Sequence, residues 1–232
     1  MTLCMGAFGT CACEASAPAS TSRPAPTASE WEGTHVSAPA PSAAAASAPA
    51  GAWVLHIGDS FTDAWLKQNL GPRVRATGSR YVVDSQTATY TTTWAFDPEL
   101  DRWLARRPSL VIVTLGANEV DMPVPEQHAR AVERLARRIH AAGASCVWMT
   151  PPLWKPDTGI LQVIHDHCAP CLYFDSDAVL GGLSRDEREP DGIHPNKRGG
   201  KRWADAFWRW LLEHRDPTRP AWALVPFEVR GS

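Results

Sequence analysis

The sequence predicts an α/β protein, a three-layer α/β/α sandwich built on a five-stranded parallel sheet. The first observation is a set of short apolar runs after residue 52, mostly β-branched or aromatic, as in buried parallel strands. The second is that segments of helical periodicity separate these runs, an alternation typical of a parallel sheet covered by helices on both faces. The expected strands are Trp53–Ile57, Tyr81–Val83, Leu110–Leu115, Cys146–Met149 and Leu172–Phe174.

The helices between the strands are indicated by their first residues and their apolar stripes. Asp97-Pro98-Glu99 predicts a helix start, because aspartate can cap the first turn and proline fits the first helical position. The following helix is expected to stop at Gly143, and its stripe and that of the last helix are expected in the core. The two stripes are Val132, Leu135, Ala136 and Ile139, and then Trp203, Phe207, Trp210 and Leu211.

Composition divides the chain into four segments. Residues 14–52 are nearly all Ala, Ser, Pro and Thr, and they have too few large apolar side chains to offset chain entropy. We therefore expect them to be a disordered tether. Residues 53–215 form the expected domain, residues 216–232 a C-terminal extension, and residues 1–13 a separate N-terminal segment.

Residues 1–13 resemble a shortened bacterial lipoprotein signal, with a short apolar run and a small residue, Ala12, before Cys13. Acylation of Cys13 would give a lipid anchor. No Lys or Arg precedes the run, and Thr10 stands where such signals usually have leucine. We expect an exported protein, whether periplasmic, membrane-anchored or secreted. The alternative is an unprocessed low-complexity tail on a cytoplasmic protein.

The charge pattern argues against several classes of function. The 23 basic and 25 acidic residues are distributed in both signs and give a net charge of −2. Without a basic stripe, no nucleic-acid partner is expected, and without about 18 consecutive apolar residues no membrane-spanning helix is expected. The chain also has no glycine-rich phosphate loop and no cluster of metal ligands. We therefore expect neither a cofactor nor a metal.

Three cysteines, Cys146, Cys168 and Cys171, fall within the expected domain, and an odd number leaves their pairing open. Cys146 and Cys171 each begin an expected strand, so a disulfide Cys146–Cys171 and a disulfide Cys168–Cys171 are both compatible with the sequence. Cys168-Ala-Pro-Cys171 could supply half of a zinc site, but no second ligand pair follows it. Export would favour a disulfide, and buried thiols are the other alternative.

Two motifs carry chemistry. Gly58-Asp59-Ser60-Phe61 follows the first strand and puts a serine hydroxyl at a strand–helix turn. Far downstream, Asp191-Gly192-Ile193-His194-Pro195 supplies a histidine with a carboxylate three residues before it. A serine needs a base to become a nucleophile, and the base needs a group that orients it. The ends of parallel strands bring such loops to one edge of the sheet, where active sites form.

With these motifs, residues 53–215 resemble the SGNH (GDSL-type) hydrolase superfamily, and Gly116-Ala117-Asn118-Glu119 matches its third block. The resemblance implies a flavodoxin-like sheet and a serine esterase. It further implies Ser60 as nucleophile, His194 as base and Asp191 as its orienting carboxylate. The implied oxyanion hole consists of the Ser60 backbone N–H, a second-block N–H and the Asn118 side chain.

The chain departs from the family pattern at two positions. No glycine follows the second strand, and by distance Thr89 stands where the second-block glycine is expected, with room for a slip of one or two residues. Only a backbone N–H is needed there, so a threonine could serve. At the other position, Glu119 replaces the usual aspartate after Asn118, which is expected to change the supporting hydrogen bonds and not the donor.

The leading functional hypothesis is an esterase that removes a small acyl group, with acetyl favoured, from a carbohydrate or cell-envelope substrate. A lysophospholipase-type esterase and an acyltransferase would use the same triad, and a non-catalytic anchored binding protein would use only the scaffold. Trp94, Trp154 and Tyr90 are candidates for lining the cleft, with core packing as the alternative. Acyl chain length, alcohol portion and oligomeric state have no signature in the sequence.

Overall fold

The computed structural model describes residues 51–225. The expected export signal and nearly all of the expected tether fall within residues 1–50, which lie outside the described part, as do residues 226–232. Among the described residues, no helix is both long and apolar enough to cross a membrane.

The predicted α/β fold is confirmed. Five strands form one parallel sheet in the flavodoxin-like order, in which the second strand of the chain lies at one edge beside the first, and the third, fourth and fifth follow on the other side. Each strand lies within two residues of its predicted bounds. The strands are β1 (Trp53–Gly58), β2 (Arg80–Ser85), β3 (Leu110–Thr114), β4 (Ser145–Met149) and β5 (Leu172–Phe174).

Helices cover both faces of the sheet. Asp97 caps the helix Pro98–Leu104 as predicted, since its side chain accepts a hydrogen bond from the Glu99 N–H. The α-helices are α1 (Ser60–Asp63), α2 (Leu66–Ala76), α3 (Thr91–Phe96), α4 (Pro98–Leu104), α5 (Ala129–Ala141), α6 (Ile160–His167), α7 (Ser176–Leu180) and α8 (Lys197–Glu213). Short 3₁₀ helices span Ala117–Glu119, Pro125–His128 and Arg185–Glu187.

Alternation along the strands divides the core into two layers. In β1, Leu55 and Ile57 face one layer, which α3, α4, α5 and α6 cover, while Val54 faces the other, which α2 and α8 cover. The predicted stripe of α5 is buried, and in α8 the side chains of Trp203 and Phe207 are fully buried. Both faces of the sheet are therefore packed against apolar helix surfaces, as its near-continuous apolar strands predict.

The chain after α8 packs back onto the domain. Arg215 and Leu224 form an antiparallel bridge, and the Trp222 side chain is fully buried in the layer beneath α8. Its indole N–H donates to the Ser79 hydroxyl at 2.8 Å. Residues 216–225 thus contribute a large core side chain that no periodic pattern indicates.

The structure resolves the cysteine alternatives. Cys146, at the start of β4, and Cys171, just before β5, form a disulfide, and Cys168 is a free buried thiol. The bond joins two neighbouring strands that already pair through Val147 and Leu172. The CxxC segment is therefore not half of a zinc site in this fold. Within residues 51–225 no group of three or more potential ligands could hold a metal ion.

Strand register determines where the functional loops meet. Gly58 of β1 pairs with Ser85 of β2 and with Thr114 of β3, so all three strands end at one level of the sheet. The connection after β2 and the connection after β3 lie on opposite sides of β1. Ligands bind at such a switch point in open α/β sheets.

Candidate active site

Ser60 is the first residue of α1, directly beyond the end of β1. The Asp59 side chain caps this helix by accepting a hydrogen bond from the Phe61 N–H at 2.9 Å. Gly58 allows the tight turn, because a Cβ there would lie 2.2 Å from the Thr114 carbonyl oxygen. The close approach of β1 and β3 therefore leaves room only for glycine and holds the half-buried Ser60 at the sheet edge.

His194 and Asp191 are brought to Ser60 by the loop before α8. His194 Nε2 lies 2.8 Å from Ser60 Oγ, and His194 Nδ1 lies 2.7 Å from Asp191 Oδ2. Because an aspartate carboxylate can only accept, Nδ1 carries the hydrogen in neutral His194, and Nε2 is then free to accept from the serine hydroxyl. The structure thus joins the three predicted triad residues in one chain of hydrogen bonds.

Asp191 is held in its acceptor role. Besides the imidazole, its carboxylate accepts from the backbone N–H groups of Ile193 at 2.7 Å and His194 at 3.1 Å. The hydrogen bond from the His194 side chain, and then that from the Ile193 N–H, hold the pKa of Asp191 below its usual value. An ionised Asp191 fixes the imidazole tautomer and would stabilise the imidazolium.

Arg188, which sequence reasoning missed, supports the histidine loop. Its buried guanidinium donates to the carbonyl oxygens of Ile193 at 2.6 Å and Leu153 at 2.5 Å, joining the loop to the segment after β4. The Glu189 N–H also donates to the His194 carbonyl at 2.7 Å. The backbone that carries His194 is therefore anchored on both sides. No local pattern marks an arginine whose partners are all backbone carbonyls.

Asn118 lies half-buried in the 3₁₀ helix beyond β3. Its side-chain amide donates to the Thr89 carbonyl oxygen at 2.7 Å, and its second contact is with Asp59 Oδ2 at 3.5 Å. Asn118 thus bridges the two segments that the family resemblance assigns to the oxyanion hole.

Thr89 itself is tied into the turn after β2. Its hydroxyl donates to the Gln86 carbonyl at 2.7 Å and accepts from the Trp94 indole N–H at 3.0 Å. The neighbouring Ala88, and not Thr89, has the left-handed backbone conformation, with φ of 58°. Glycine is the residue that adopts this conformation without strain. Ala88 is therefore the residue of this turn whose backbone conformation favours glycine, and it directly precedes Thr89.

Glu119 is fully buried next to Asn118. Its Oε1 accepts from the Thr91 N–H at 2.5 Å and lies 3.7 Å from His128 Nδ1, while Oε2 has no hydrogen-bond partner among residues 51–225. Burial raises the pKa of Glu119. The glutamate reaches across to the start of α3, so it ties the Asn118 segment to the segment that contains Ala88.

Of the aromatic residues proposed to line the cleft, one lies in the hydrophobic core and another lies near the triad. Trp94 is fully buried, so its assignment to the cleft is wrong and the core-packing alternative holds. Trp154 is half-buried and stacks on Phe61, with ring centroids 5.3 Å apart, and Phe61 in turn contacts the His194 ring at 5.0 Å. Cavities of about 990 and 530 Å³ lie at the opposite edge of the sheet, where Ser145 lines both. Neither cavity includes a triad residue.

Comparison with known proteins adds a family and a fold. The model of the GDSL-like lipase/acylhydrolase family matches residues 56–202. The structure is similar to that of TesA, with 24% identity and a TM-score of 0.58 over 68% of this chain and 97% of that one. No curated protein matches the chain by sequence.

Two further similar structures are named as a carbohydrate esterase and an acetylxylan esterase. One is a carbohydrate esterase family 3 protein from Talaromyces cellulolyticus, 17% identical, with a TM-score of 0.55 over 70% of this chain and 97% of that one. The other is the acetylxylan esterase Axe2 from Geobacillus stearothermophilus, 19% identical, with a TM-score of 0.52 over 69% and 94% respectively. At these identities the likeness concerns the fold.

Proposed function

This chain belongs to the GDSL-like lipase/acylhydrolase family and is an SGNH-type serine esterase, and from that premise we propose that Ser60, His194 and Asp191 are its catalytic triad. The observation that carries the proposal is the hydrogen-bond chain from Ser60 Oγ through the imidazole to Asp191, with contacts of 2.8 and 2.7 Å. Both distances lie within the reach that nucleophile–base and base–orienter pairs need.

In the proposed mechanism, Ser60 Oγ attacks the ester carbonyl carbon while His194 Nε2 accepts the hydroxyl proton. The tetrahedral intermediate then collapses, its bond to the alcohol oxygen breaks, and His194 returns the proton to the departing alkoxide. Water attacks the resulting acyl-enzyme with His194 again as the base, which releases the carboxylic acid and restores Ser60. Asp191 keeps the imidazole oriented and stabilises its charged form throughout.

We propose an oxyanion hole formed by the Ser60 N–H, the Asn118 side chain and a backbone N–H of the segment 88–89. The left-handed backbone of Ala88 and the bridge from Asn118 to Thr89 support this assignment. Donors at these positions would be fixed before the reaction begins, which is the condition under which they stabilise developing negative charge most.

Replacing Asn118 by alanine is expected to lower kcat by about 10²–10³-fold with a smaller change in KM, because the lost donor acts mainly on the oxyanion. Steady-state kinetics on nitrophenyl acetate measure this. Asn69→Ala is the matched control, since Asn69 lies on α2, its amide donates to the carbonyl of Trp65 just before that helix, and its loss should leave both constants unchanged. Equal losses in the two variants would contradict the assignment of Asn118.

For the substrate we propose a small acyl ester, acetyl before longer chains, on a carbohydrate or cell-envelope polymer. The names of two similar structures, a carbohydrate esterase and an acetylxylan esterase, support a carbohydrate substrate. The packing of Trp154 on Phe61 beside the His194 ring supports a short acyl group, because large side chains fill the space next to the base.

A panel of nitrophenyl esters of increasing chain length, run beside acetylated xylan and acetylated peptidoglycan, tests this substrate assignment. We expect kcat/KM to be highest for acetate and to fall with each added methylene, and we expect free acetate from at least one polymer. A preference for long chains would instead indicate a lysophospholipase-type esterase. Acylated sugar acceptors among the products would indicate acyl transfer.

A further inference from the structure

The Asn118 amide has two hydrogens, and both face protein acceptors. One is committed to the Thr89 carbonyl oxygen, with a nitrogen–oxygen distance of 2.7 Å. The other faces Asp59 Oδ2 at 3.5 Å, the outer limit of a hydrogen bond. An oxyanion can use Asn118 only through this second, weakly held hydrogen. How strongly Asp59 accepts this hydrogen therefore determines how well Asn118 can stabilise the oxyanion.

Asp59 is fully buried, and none of the ion pairs within residues 51–225 includes it. Its Oδ1 accepts from the Phe61 N–H, which leaves Oδ2 facing the Asn118 amide. The pKa of Asp59 is raised to about 8. Burial is the main cause, and the negative charge of the nearby Glu119 contributes to the rise. At neutral pH the side chain is therefore a carboxylic acid, whose oxygens are weaker acceptors than those of a carboxylate.

The other titratable groups on the surrounding elements do not supply a compensating positive charge. On β1, burial lowers the pKa of His56 to about 3, so its ring is neutral. On α1, Asp63 pairs with Lys67 at the surface. His128 packs against Glu119, and burial lowers its pKa as well. The remaining titratable group near Asp59 is His194, whose ring contacts the hydroxyl of the adjacent Ser60.

We propose that Asp59 is a positioning residue that acts through Asn118: as a neutral acid it leaves one amide hydrogen free for the oxyanion, and as a carboxylate it captures that hydrogen. This inference rests on the proposed function of Ser60 and Asn118. Loss of the Asp59 proton at alkaline pH then removes the Asn118 donor from the oxyanion hole, although the nucleophile and base are unchanged. Glu119 keeps the proton on Asp59 up to higher pH through its negative charge.

The test is the pH dependence of kcat/KM for nitrophenyl acetate, corrected for spontaneous hydrolysis, in wild type and in Asp59→Asn. Wild type is expected to lose activity above about pH 8. In Asp59→Asn the decline should disappear, because asparagine cannot ionise and its oxygen still caps α1. Asp175→Asn is the matched control: Asp175 also caps a helix, through the Ala178 N–H, and this change should leave the alkaline decline in place.

Two results would overturn the proposal: a wild type whose rate does not fall at alkaline pH, or an Asp59→Asn variant whose rate falls at the same pH as wild type. The variant Glu119→Gln gives a second prediction, which states the direction in which the alkaline decline should move. Removing the negative charge lowers the pKa of Asp59, so the decline should move to lower pH. An unchanged or higher midpoint would exclude the role given to Glu119.

An infrared difference spectrum, wild type minus Asp59→Asn, detects the proton without using catalysis. At neutral pH it should contain the carbonyl stretch of a protonated carboxylic acid, and this band should vanish above about pH 8. If the band is present but the protein hydrolyses no ester, the proposed function fails and the protonated Asp59 stands. If the band is absent at neutral pH, the inference fails whatever the activity.

Discussion

Replacing Ser60 by alanine is expected to lower kcat by about 10⁶-fold, since removing the nucleophile of a serine triad costs as much as removing the whole triad. Without Oγ no acyl-enzyme can form, and only the activity due to substrate binding and the oxyanion hole remains. The half-buried Ser60 side chain is small, so the change leaves no large cavity. Steady-state kinetics and thermal unfolding of purified protein measure the two effects separately.

Ser109→Ala is the matched control for this prediction. Ser109 precedes β3 at the opposite edge of the sheet, where it lines the cavity of about 990 Å³, and its loss should leave kcat unchanged. A Ser60→Ala variant that folds and keeps a substantial fraction of wild-type turnover would contradict the role of Ser60.

The second large effect is expected for His194→Ala, again about 10⁶-fold in kcat, because the serine hydroxyl is a poor nucleophile without its base. The double variant Ser60→Ala/His194→Ala should be no slower than either single variant, since the two residues act as a unit. Phosphonylation of Ser60 by a fluorophosphonate should also become much slower in His194→Ala. Stopped assays at high enzyme concentration give the residual rates.

His165→Ala is the control for the histidine change. His165 lies on α6, exposed, beside Asp166, and its replacement should affect neither turnover nor phosphonylation. Multiplicative losses in the double variant would contradict the triad, because independent residues contribute independently.

Much of the fold could be predicted because its signals are local. Each strand is a short apolar run, and Asp97 marks a helix start through chemistry confined to one turn. The contact of Ser60 with His194 spans 134 residues, yet the predicted parallel sheet already placed both loops at one edge. Fold class and site location followed from the same alternation of strands and helices.

The remaining features depend on contacts between segments far apart in sequence. The left-handed backbone of Ala88 leaves no compositional mark, because alanine is common in every kind of structure. Trp222 enters the core from an aperiodic segment, and Arg188 binds backbone carbonyls, which every residue has. The weak contact between Asn118 and Asp59 depends on a distance that only the folded chain determines.

The central claim is that Ser60 is a nucleophile activated by His194 and Asp191. Its most direct measurement is the mass of the protein and of its peptides after reaction with a fluorophosphonate probe. The account predicts one adduct per chain, on Ser60, with esterase activity lost in proportion to labelling. An unlabelled Ser60, or full esterase activity in protein whose Ser60 is completely labelled, would contradict it.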